Sequence, residues 1–310
     1  MIEPARDQVV ISVNPQAGRR SSANRADELA RLLRACGFGV EVLGDLGRVA
    51  ERAGRLHGEG RLRVVVGVGG DGTAAELANR LHPGVPITLL PAGTSNLLAR
   101  CLRWGRSVER VTETIRQGRT MHLDVGRAAG RVFLLMASCG FDAEVTRLVH
   151  LRRQRNRRGG HIGYLSYVKP ILDCMRSYRY PEIRVEILED AAGRALGSVS
   201  GRWVFAFNLP RYGWGLRIAP EASATDGVLE LCTFRGGSFW QGLLYAAAVQ
   251  CGGWHRRLRD FRLEQVRRIR VFASQPVPYQ LDGDPAGWLP VEVDVLPGRV
   301  AVMVPAGSVC

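Results

Sequence analysis

A glycine-rich turn directly after a buried apolar run constrains this chain more than any other segment. The run Val64-Val65-Val66 leads into Gly67-Val68-Gly69-Gly70-Asp71-Gly72-Thr73, the pattern of a strand that ends in a loop and continues into a helix. Glycines let the backbone approach a phosphate closely, and amides at a helix N-terminus can face an anion. A plain buried turn would need only the glycines, whereas Asp71 would repel a phosphate unless a metal ion intervened. The segment therefore predicts a phosphate-binding turn with an associated metal.

The first part of the chain alternates predicted strands and helices. Apolar runs and helical periodicity predict strands over 8–13, 40–43, 63–67 and 87–90, and helices over 21–36, over 47–57 and from 73 onward. This order predicts an α/β domain with a doubly wound parallel sheet. In such sheets ligands bind outside the carboxyl ends of the strands.

The pattern changes near residue 124 to strands with few long helices. Strands are predicted over 131–138, 182–189, 198–208, 228–234, 268–272, 291–296 and 300–304, with helices around 162–178 and 239–251. At 310 residues the chain exceeds the usual single-domain size. We expect a nucleotide-binding α/β domain over 1–124 and an antiparallel, β-sandwich-like domain over 125–310, whose last strand could return to the first domain.

Composition excludes several classes of function. The formal net charge is +14, from 43 basic and 29 acidic residues, yet Lys169 is the only lysine and precedes Pro170. P-loop nucleotidases, protein kinases and Schiff-base enzymes all require a lysine in a defined motif. Seven scattered cysteines without CxxC spacing favour reduced thiols over zinc or disulfides. With no apolar signal sequence and no apolar segment long enough to span a bilayer, a cytoplasmic protein is expected.

The arginines form one dense cluster. It consists of Arg152, Arg153, Arg155, Arg157 and Arg158. Each basic residue near an anionic leaflet contributes about 1 kcal/mol, so the cluster could hold the protein reversibly at the inner face of a membrane. A solvated charged surface is the alternative. No helix-turn-helix, RNP or zinc-finger pattern accompanies the arginines, so nucleic acid is not an expected partner.

Three loops at predicted strand ends combine glycine with small polar side chains. They begin at Asn14, Gly69 and Gly93, and together they suit a nucleotide polyphosphate. The spacing Gly67-x-Gly69-x-x-Gly72 also matches the dinucleotide fingerprint. That fold places an acid about 20 residues further on, but no Asp or Glu lies between Glu76 and Glu109. Redox chemistry is therefore disfavoured.

Taken together, the motifs resemble the diacylglycerol kinase catalytic domain family, which includes bacterial lipid kinases and sphingosine kinases. The likeness covers nearly the whole chain. Its motifs are Asn14-Pro15-x-x-Gly18, Gly69-Gly70-Asp71-Gly72-Thr73, Pro91-x-Gly93-Thr94-x-Asn96, Gly140-Phe141-Asp142-Ala143, Ala219-Pro220 with Asp226-Gly227, and Asp282-Gly283-Asp284. NAD kinases and phosphofructokinases share the GGDGT-type loop, and NAD kinase remains an alternative.

The resemblance implies an ATP- and Mg²⁺-dependent kinase that phosphorylates a lipid hydroxyl, with diacylglycerol as the first choice of acceptor and phospholipid biosynthesis as the setting. Sphingoid bases and other lipids remain open, as does a homodimer. The implied ATP-binding residues are Asn14, Gly69, Gly70, Asp71, Gly72, Thr73, Ala74, Ala75, Gly93, Thr94 and Asn96. The implied general base is Asp284, and Asp71 shares the catalytic site with it. Asp71 and Asp124 would organise the catalytic magnesium.

A second, structural magnesium is implied at Ser223, Asp226 and Val228. A plain turn at Asp226-Gly227 is the alternative. Two departures from the family pattern bear on activity, because Asp284 replaces a glutamate and Leu97 replaces an aspartate found in many bacterial members. They leave open a nucleotide- or lipid-binding regulator with little turnover.

Overall fold

The chain divides into two compact units. The structure, a computed structural model, describes residues 6–13, 21–93, 95–155 and 165–308. The first unit contains Met1–Val125 and Pro297–Cys310, and the second contains Gly126–Leu296. Two strands, over 120–128 and 291–303, run from one unit into the other.

The first unit is a parallel sheet with helices on both faces. Its elements are β1 (Gln8–Val13), α1 (Ser21–Ala35), β2 (Gly39–Leu43), α2 (Leu46–Gly58), β3 (Leu62–Gly69), α3 (Asp71–Arg80), β4 (Ile87–Pro91), α4 (Leu97–Cys101), α5 (Val108–Gln117) and β5 (Thr120–Ala128). The strand order is β2-β1-β3-β4, with parallel pairing throughout. Every residue of β3 is buried, as expected for a strand covered on both faces.

Alternate residues of the central strands face different helices. Val9 and Ile11 belong to one core with residues of α1 and α5. Val10, which lies between them in β1, and Val65 in β3 are also buried. The helices α2 and α3 contact these strands. The doubly wound parallel sheet predicted from the sequence is therefore confirmed.

The second unit is mainly antiparallel. Its elements are β6 (Arg131–Phe133), β7 (Met136–Gly140), α6 (Phe141–Arg155), α7 (Leu165–Ser177), β8 (Ile183–Asp190), β9 (Gly197–Gly201), β10 (Trp203–Phe207), β11 (Leu229–Phe234), α8 (Phe239–Gln250), β12 (Phe261–Ala273), β13 (Pro278–Leu281), β14 (Asp284–Trp288) and β15 (Val291–Met303). The order β14-β13-β7-β10-β11-β12-β15 is antiparallel at each pair, and β8 joins β12 to β9. This confirms the predicted β-rich second part of the chain.

Several elements differ from the sequence predictions. The strand predicted over 131–138 is two strands, because the backbone amides of Leu134 and Leu135 bond to the carboxylate of Asp282 instead of to a neighbouring strand. The strand predicted over 198–208 also divides, into β9 and β10. Conversely, the strands predicted over 291–296 and 300–304 are one continuous strand, β15. The helices α4, α5 and α6, the strand β5 and the β13–β14 hairpin were not predicted.

Within the described residues, no helix reaches the length and apolar character needed to cross a bilayer.

The C-terminal end of α5 is held by a buried arginine. The guanidinium of Arg63 donates to Ile115 O at 3.0 and 2.8 Å and to Arg116 O at 2.9 Å. Gly118 follows the helix with φ +64, and a Cβ there would lie 1.9 Å from Nη2 of Arg63. Position 118 therefore favours glycine for two reasons: its backbone is left-handed, and a Cβ would clash with the Arg63 side chain.

We predict that Gly118→Ala destabilises the first unit more than Gly60→Ala does. Gly60 has a similar φ of +70 but open space around the added Cβ, so its alanine should cost only about 1–2 kcal/mol of backbone strain. Gly118→Ala should cost about 2 kcal/mol more, since Arg63 would lose bonds to buried carbonyls. Urea titrations give the two free energies of unfolding. Equal losses would show that the Arg63 contact contributes nothing.

Candidate active-site residues

The loops that follow β3 and β4 are in direct contact. The amide of Ala92 donates to Gly69 O at 2.9 Å. A Cβ on Gly93 would lie 2.8 Å from the Cα of Gly70, which is closer than real Cβ contacts come. Gly93 therefore needs to be glycine for the two loops to touch, and a Cβ on Gly70 would also be close, 3.2 Å from the Cα of Gly93.

The carboxylate of Asp71 joins the same two loops. One oxygen accepts a hydrogen bond from Leu97 N–H at 2.9 Å, and the other accepts one from Leu98 N–H at 3.0 Å. These are the first amides of α4, which have no partner within that helix. Burial raises the pKa of Asp71, and the two amides and the nearby charge of Arg100 oppose that rise. The sequence predicted that Asp71 is a site residue, but it did not predict that Asp71 binds the first amides of α4 and so connects the two loops.

Asn96 fixes the second loop. Its backbone is left-handed, with φ +45, and its side chain is buried. The amide oxygen accepts Gly93 N–H at 3.1 Å, and the amide nitrogen donates to Gly93 O at 2.7 Å. Asn96 thus shapes the turn, and both polar groups of its side chain are used within the loop.

Packing explains most, but not all, of the glycines in the first loop. A Cβ on Gly69 would lie 2.0 Å from Oγ1 of Thr73, and one on Gly67 would meet Leu89 and Leu77 below 3.0 Å. Gly72 differs, because a Cβ there would meet nothing within 4 Å. It lies exposed in the first turn of α3, whose N-cap residue makes no side-chain capping bond. That open space is where an anion could approach the amides of the turn.

Other predicted nucleotide-binding residues fall in different settings. Ala74 and Ala75 are buried in α3, and Ala74 N–H donates to Gly70 O at 3.2 Å. Asn14 and Thr94 lie outside the described residues.

Asp124 offers a second carboxylate in the first unit. It is buried, and its Oδ1 accepts Gly298 N–H at 2.7 Å. Among the described residues there is no group of three or more His, Cys, Asp or Glu side chains placed to hold a metal. Mg²⁺ does not need such a cage, since it is usually held by one or two carboxylates with phosphate oxygens and water. Carboxylate oxygens such as those of Asp71 and Asp124 are the donor type that this ion takes.

In the second unit, Asp282 is locked into the turn between β13 and β14. Its carboxylate accepts three backbone amides, from Leu134 at 2.7 Å, Leu135 at 2.8 Å and Met136 at 3.0 Å. Its own backbone is left-handed, with φ +52. Three amide bonds to one carboxylate hold the turn to the segment before β7.

The next two residues present a free carboxylate. Gly283 has φ +91, and its amide donates to Oε1 of Gln280 at 2.6 Å. Asp284 follows at the start of β14, where it is exposed, and its side chain makes no hydrogen bond or ion pair with any residue that the structure describes. The predicted general base is therefore an accessible carboxylate on a turn that its neighbours hold in place.

A buried polar group beneath this turn was missed by the sequence analysis. Nε2 of Gln280 donates to Ser138 Oγ at 2.9 Å and to Asp142 Oδ2 at 3.3 Å, and the Ser138 hydroxyl also donates to Asp142 Oδ2. Burial raises the pKa of Asp142 to about 6, although both hydrogen bonds oppose the rise. Asp142 was visible only as part of a motif, and no pattern marked Ser138 or Gln280.

The loop predicted to bind a structural magnesium, over 223–228, contains short-range hydrogen bonds. Asp226 Oδ1 accepts Val228 N–H at 3.2 Å, and the hydroxyls of Ser223 and Thr225 lie 3.0 Å apart. The Asp226 bond is one that a plain turn would make, and metal binding there stays a prediction. Burial raises the pKa of the nearby Glu230, and the charges of Asp226 and Glu221 add to that rise.

The predicted arginine cluster is only partly described. Arg152 lies 3.5 Å from Asp173, and both side chains are about half exposed. The side chains of Arg153 and Arg155, and all of Arg157 and Arg158, lie outside the described part of the chain.

Comparisons with known proteins cover nearly the whole chain. The model of the diacylglycerol kinase catalytic domain matches residues 8–128, and that of the YegS C-terminal NAD kinase beta sandwich-like domain matches residues 136–304. A diacylglycerol kinase of Bacillus subtilis is 24% identical over 95% of this chain and 95% of its own length. A probable lipid kinase YegS-like of Pseudomonas aeruginosa is 27% identical, over 86% of this chain and 83% of its own.

The fold has a solved counterpart. The crystal structure of a putative diacylglycerol kinase from Bacillus anthracis aligns with a TM-score of 0.74 and 19% identity, covering 98% of this chain and 97% of that one. At that identity the likeness shows the fold alone.

We predict that Gly93→Ala weakens nucleotide binding. The added Cβ would press on the Gly70 backbone at 2.8 Å and separate the two loops. Because such a displacement misplaces every donor of the turn, the affinity for Mg-ATP should fall at least about tenfold by calorimetry. Gly54→Ala is the control, since its Cβ in α2 meets nothing within 4 Å. Unchanged affinity in Gly93→Ala would contradict the role of the loop contact.

We also predict that Asp142 makes the stability of the second unit depend on pH. The pKa of Asp142 is raised to about 6 in the folded protein from the ordinary aspartate value of 3.8, so the folded state binds more protons than the unfolded state between these values. Stability should therefore fall as the pH rises from about 4 to about 6, by about 3 kcal/mol, and change no further above that. Asp142→Asn should remove this part of the pH dependence in urea titrations. Parallel profiles for the two proteins would contradict the assignment.

Proposed function

Because the chain belongs to the diacylglycerol kinase family of lipid kinases, we propose that it transfers the γ-phosphoryl group of ATP to a hydroxyl group of a membrane lipid, with Mg²⁺ as the metal. The observation that carries this proposal is the pair of glycine loops fastened by Asp71, with open space at Gly72. Phosphoryl transfer depends mainly on positioning and charge stabilisation, and two loops held in contact provide positioning.

The nucleotide would lie at the carboxyl ends of β3 and β4. The first turn of α3 supplies amides beside Gly72, and the lack of a side chain there gives phosphate oxygens access. No lysine is available for this task, since Lys169 is the only one in the chain. Backbone dipoles and the metal would therefore take the place of a P-loop lysine.

Asp71 and Asp124 would hold the magnesium, which when bound neutralises phosphate charge. Asp71 uses each oxygen for one backbone amide, and a carboxylate oxygen has further capacity to bind a metal or its water. The same residue would then orient the loop and the ion.

Asp284 would act on the acceptor. A lipid hydroxyl is a weak nucleophile, and a carboxylate within hydrogen-bond distance can accept its proton as the phosphoryl group transfers. Asp284 is exposed and has no described side-chain partner, so its oxygens are available. The bonds that hold Asp282 and Gly283 fix the backbone from which this shorter acid extends.

Diacylglycerol is the proposed acceptor, because the first family model and the B. subtilis relative carry its name. The reaction would then belong to phospholipid biosynthesis. Because a membrane lipid is reached at the bilayer surface, the proposal includes peripheral association with the inner face of the membrane. The cluster from Arg152 to Arg158 remains our proposed electrostatic contact with anionic lipid there.

We predict that Asp284→Asn lowers kcat at least about 100-fold and leaves KM for ATP unchanged, because it removes proton acceptance without touching the nucleotide loops. Asp284→Glu should retain more activity, since it keeps the carboxylate. Asp27→Asn is the matched control, because Asp27 is an exposed aspartate on α1 with no described partner. The assay follows transfer from labelled ATP to lipids in mixed micelles, with and without a magnesium chelator.

The acceptor panel separates the proposal from its alternatives. Diacylglycerol, a sphingoid base and NAD are offered in parallel. Phosphorylation of NAD alone would establish an NAD kinase, while ATP binding without transfer to any acceptor would favour a regulator. Full activity of Asp284→Asn on a lipid would overturn the assignment of the base.

A further inference from the structure

The helix α8 is anchored to the second unit by one face. Gly242, Tyr245, Ala248 and Val249 are buried on that face. The Tyr245 oxygen accepts Gly236 N–H at 2.9 Å, and its hydroxyl donates to the carboxylate of Asp260. These contacts fix the rotation of the helix, so its opposite face must point outward.

That outer face is also apolar. Trp240, Leu243, Leu244 and Ala247 recur at i, i+3, i+4 and i+7, which places them on one stripe, and all four are exposed. Trp240 is 75% exposed and Leu244 is 52% exposed. Trp254, four residues after the helix end, is 64% exposed. We call these five residues the α8 stripe.

The neighbouring helices carry further exposed apolar side chains. Of the ten large apolar side chains that are exposed among the described residues, four belong to the α8 stripe and three lie on α6 and α7. α7 contacts both α6 and α8. The three are Leu151, Val168 and Leu172. Single exposed apolar residues are ordinary, whereas a concentration on adjoining helices marks an interaction surface.

The chain segment that carries the stripe is rich in arginine. From Gly236 to Arg259 the sequence has no Asp or Glu and three arginines, Arg256, Arg257 and Arg259. The Arg257 guanidinium lies 5.5 Å from the centroid of the Trp254 ring. Arg256 is paired with Glu221, and all three arginines are exposed. Tryptophan and arginine side by side at the edge of an apolar stripe suit the boundary between lipid headgroups and acyl chains.

We propose that the α8 stripe is the surface by which the second unit inserts into the interface of an anionic lipid bilayer. This rests on the proposed lipid-kinase function, since a lipid acceptor must be reached from a membrane. A second copy of the chain fits the surface less well. A symmetric contact would bring two copies of the three arginines into one interface, in a chain of net charge +14.

The test compares two leucine-to-glutamate substitutions at positions of equal exposure. Leu244→Glu places a charge in the stripe, and Leu196→Glu places the same charge at a leucine that is 49% exposed before β9. Binding is measured by co-sedimentation with phosphatidylcholine vesicles and with vesicles that also contain phosphatidylglycerol, without nucleotide. Leu244→Glu should weaken binding to the anionic vesicles at least about tenfold, and Leu196→Glu should change it less than about twofold.

Two further readouts make the outcome decisive. Replacing Arg257 and Arg259 with glutamine should reduce the preference for phosphatidylglycerol over phosphatidylcholine alone. Equal vesicle binding by the wild type and Leu244→Glu would overturn the proposal. So would sedimentation velocity showing a wild-type dimer that Leu244→Glu dissociates while vesicle binding persists. Because no ATP is present, failure here is separate from failure of the kinase assay.

Discussion

Two hydrogen bonds to the Asp71 carboxylate hold together the two loops that form the candidate nucleotide site of the first unit. Parallel strands bring their carboxyl ends to one edge, but the loops beyond them have no ladder to fix them. Asp71 supplies that fixation by accepting the Leu97 and Leu98 amides, and the absent side chains of Gly70 and Gly93 let the two backbones meet. A buried carboxylate is costly unless it is hydrogen-bonded. The first amides of a helix are donors that otherwise lack partners. The buried Asp71 carboxylate thus gains hydrogen bonds, and the first amides of α4 gain an acceptor.

The second unit uses the same device at the other candidate site. Asp282 accepts three amides from the segment between β6 and β7, and Gln280 holds the amide of Gly283. Asp284 is left as the exposed acid of that turn. The carboxylate of Asp142 accepts hydrogen bonds from Gln280 and Ser138. Asp142, whose pKa is raised by burial, therefore contacts the same Gln280 side chain that holds the Gly283 amide. In both units, an aspartate carboxylate that accepts backbone amides fixes the position of a loop that lies outside the hydrogen-bonded sheet.

The sequence predicted the architecture well where the signal is local. Buried apolar runs located β1, β3 and β4, and the switch to short strands indicated the antiparallel second part. α5 was missed because its sequence is rich in Val and Thr, which also suit strands. β13 and β14 were missed because they are short and contain Pro and Gly. The roles of Asp71 and Asp282 could not be predicted, because their partners lie 26 and about 148 residues away along the chain. Motif matching marked both aspartates, and only the folded backbone shows what their oxygens bind.

The most direct test of the central claim is a crystal structure of the protein with Mg²⁺ and a non-hydrolysable ATP analogue. The account predicts phosphate oxygens within hydrogen-bond distance of the amides around Gly72, beside the Asp71-fastened loops, and a metal whose ligands or bound waters contact Asp71 and Asp124. A nucleotide bound away from the ends of β3 and β4, or phosphates that leave the Gly72 turn unoccupied, would contradict it.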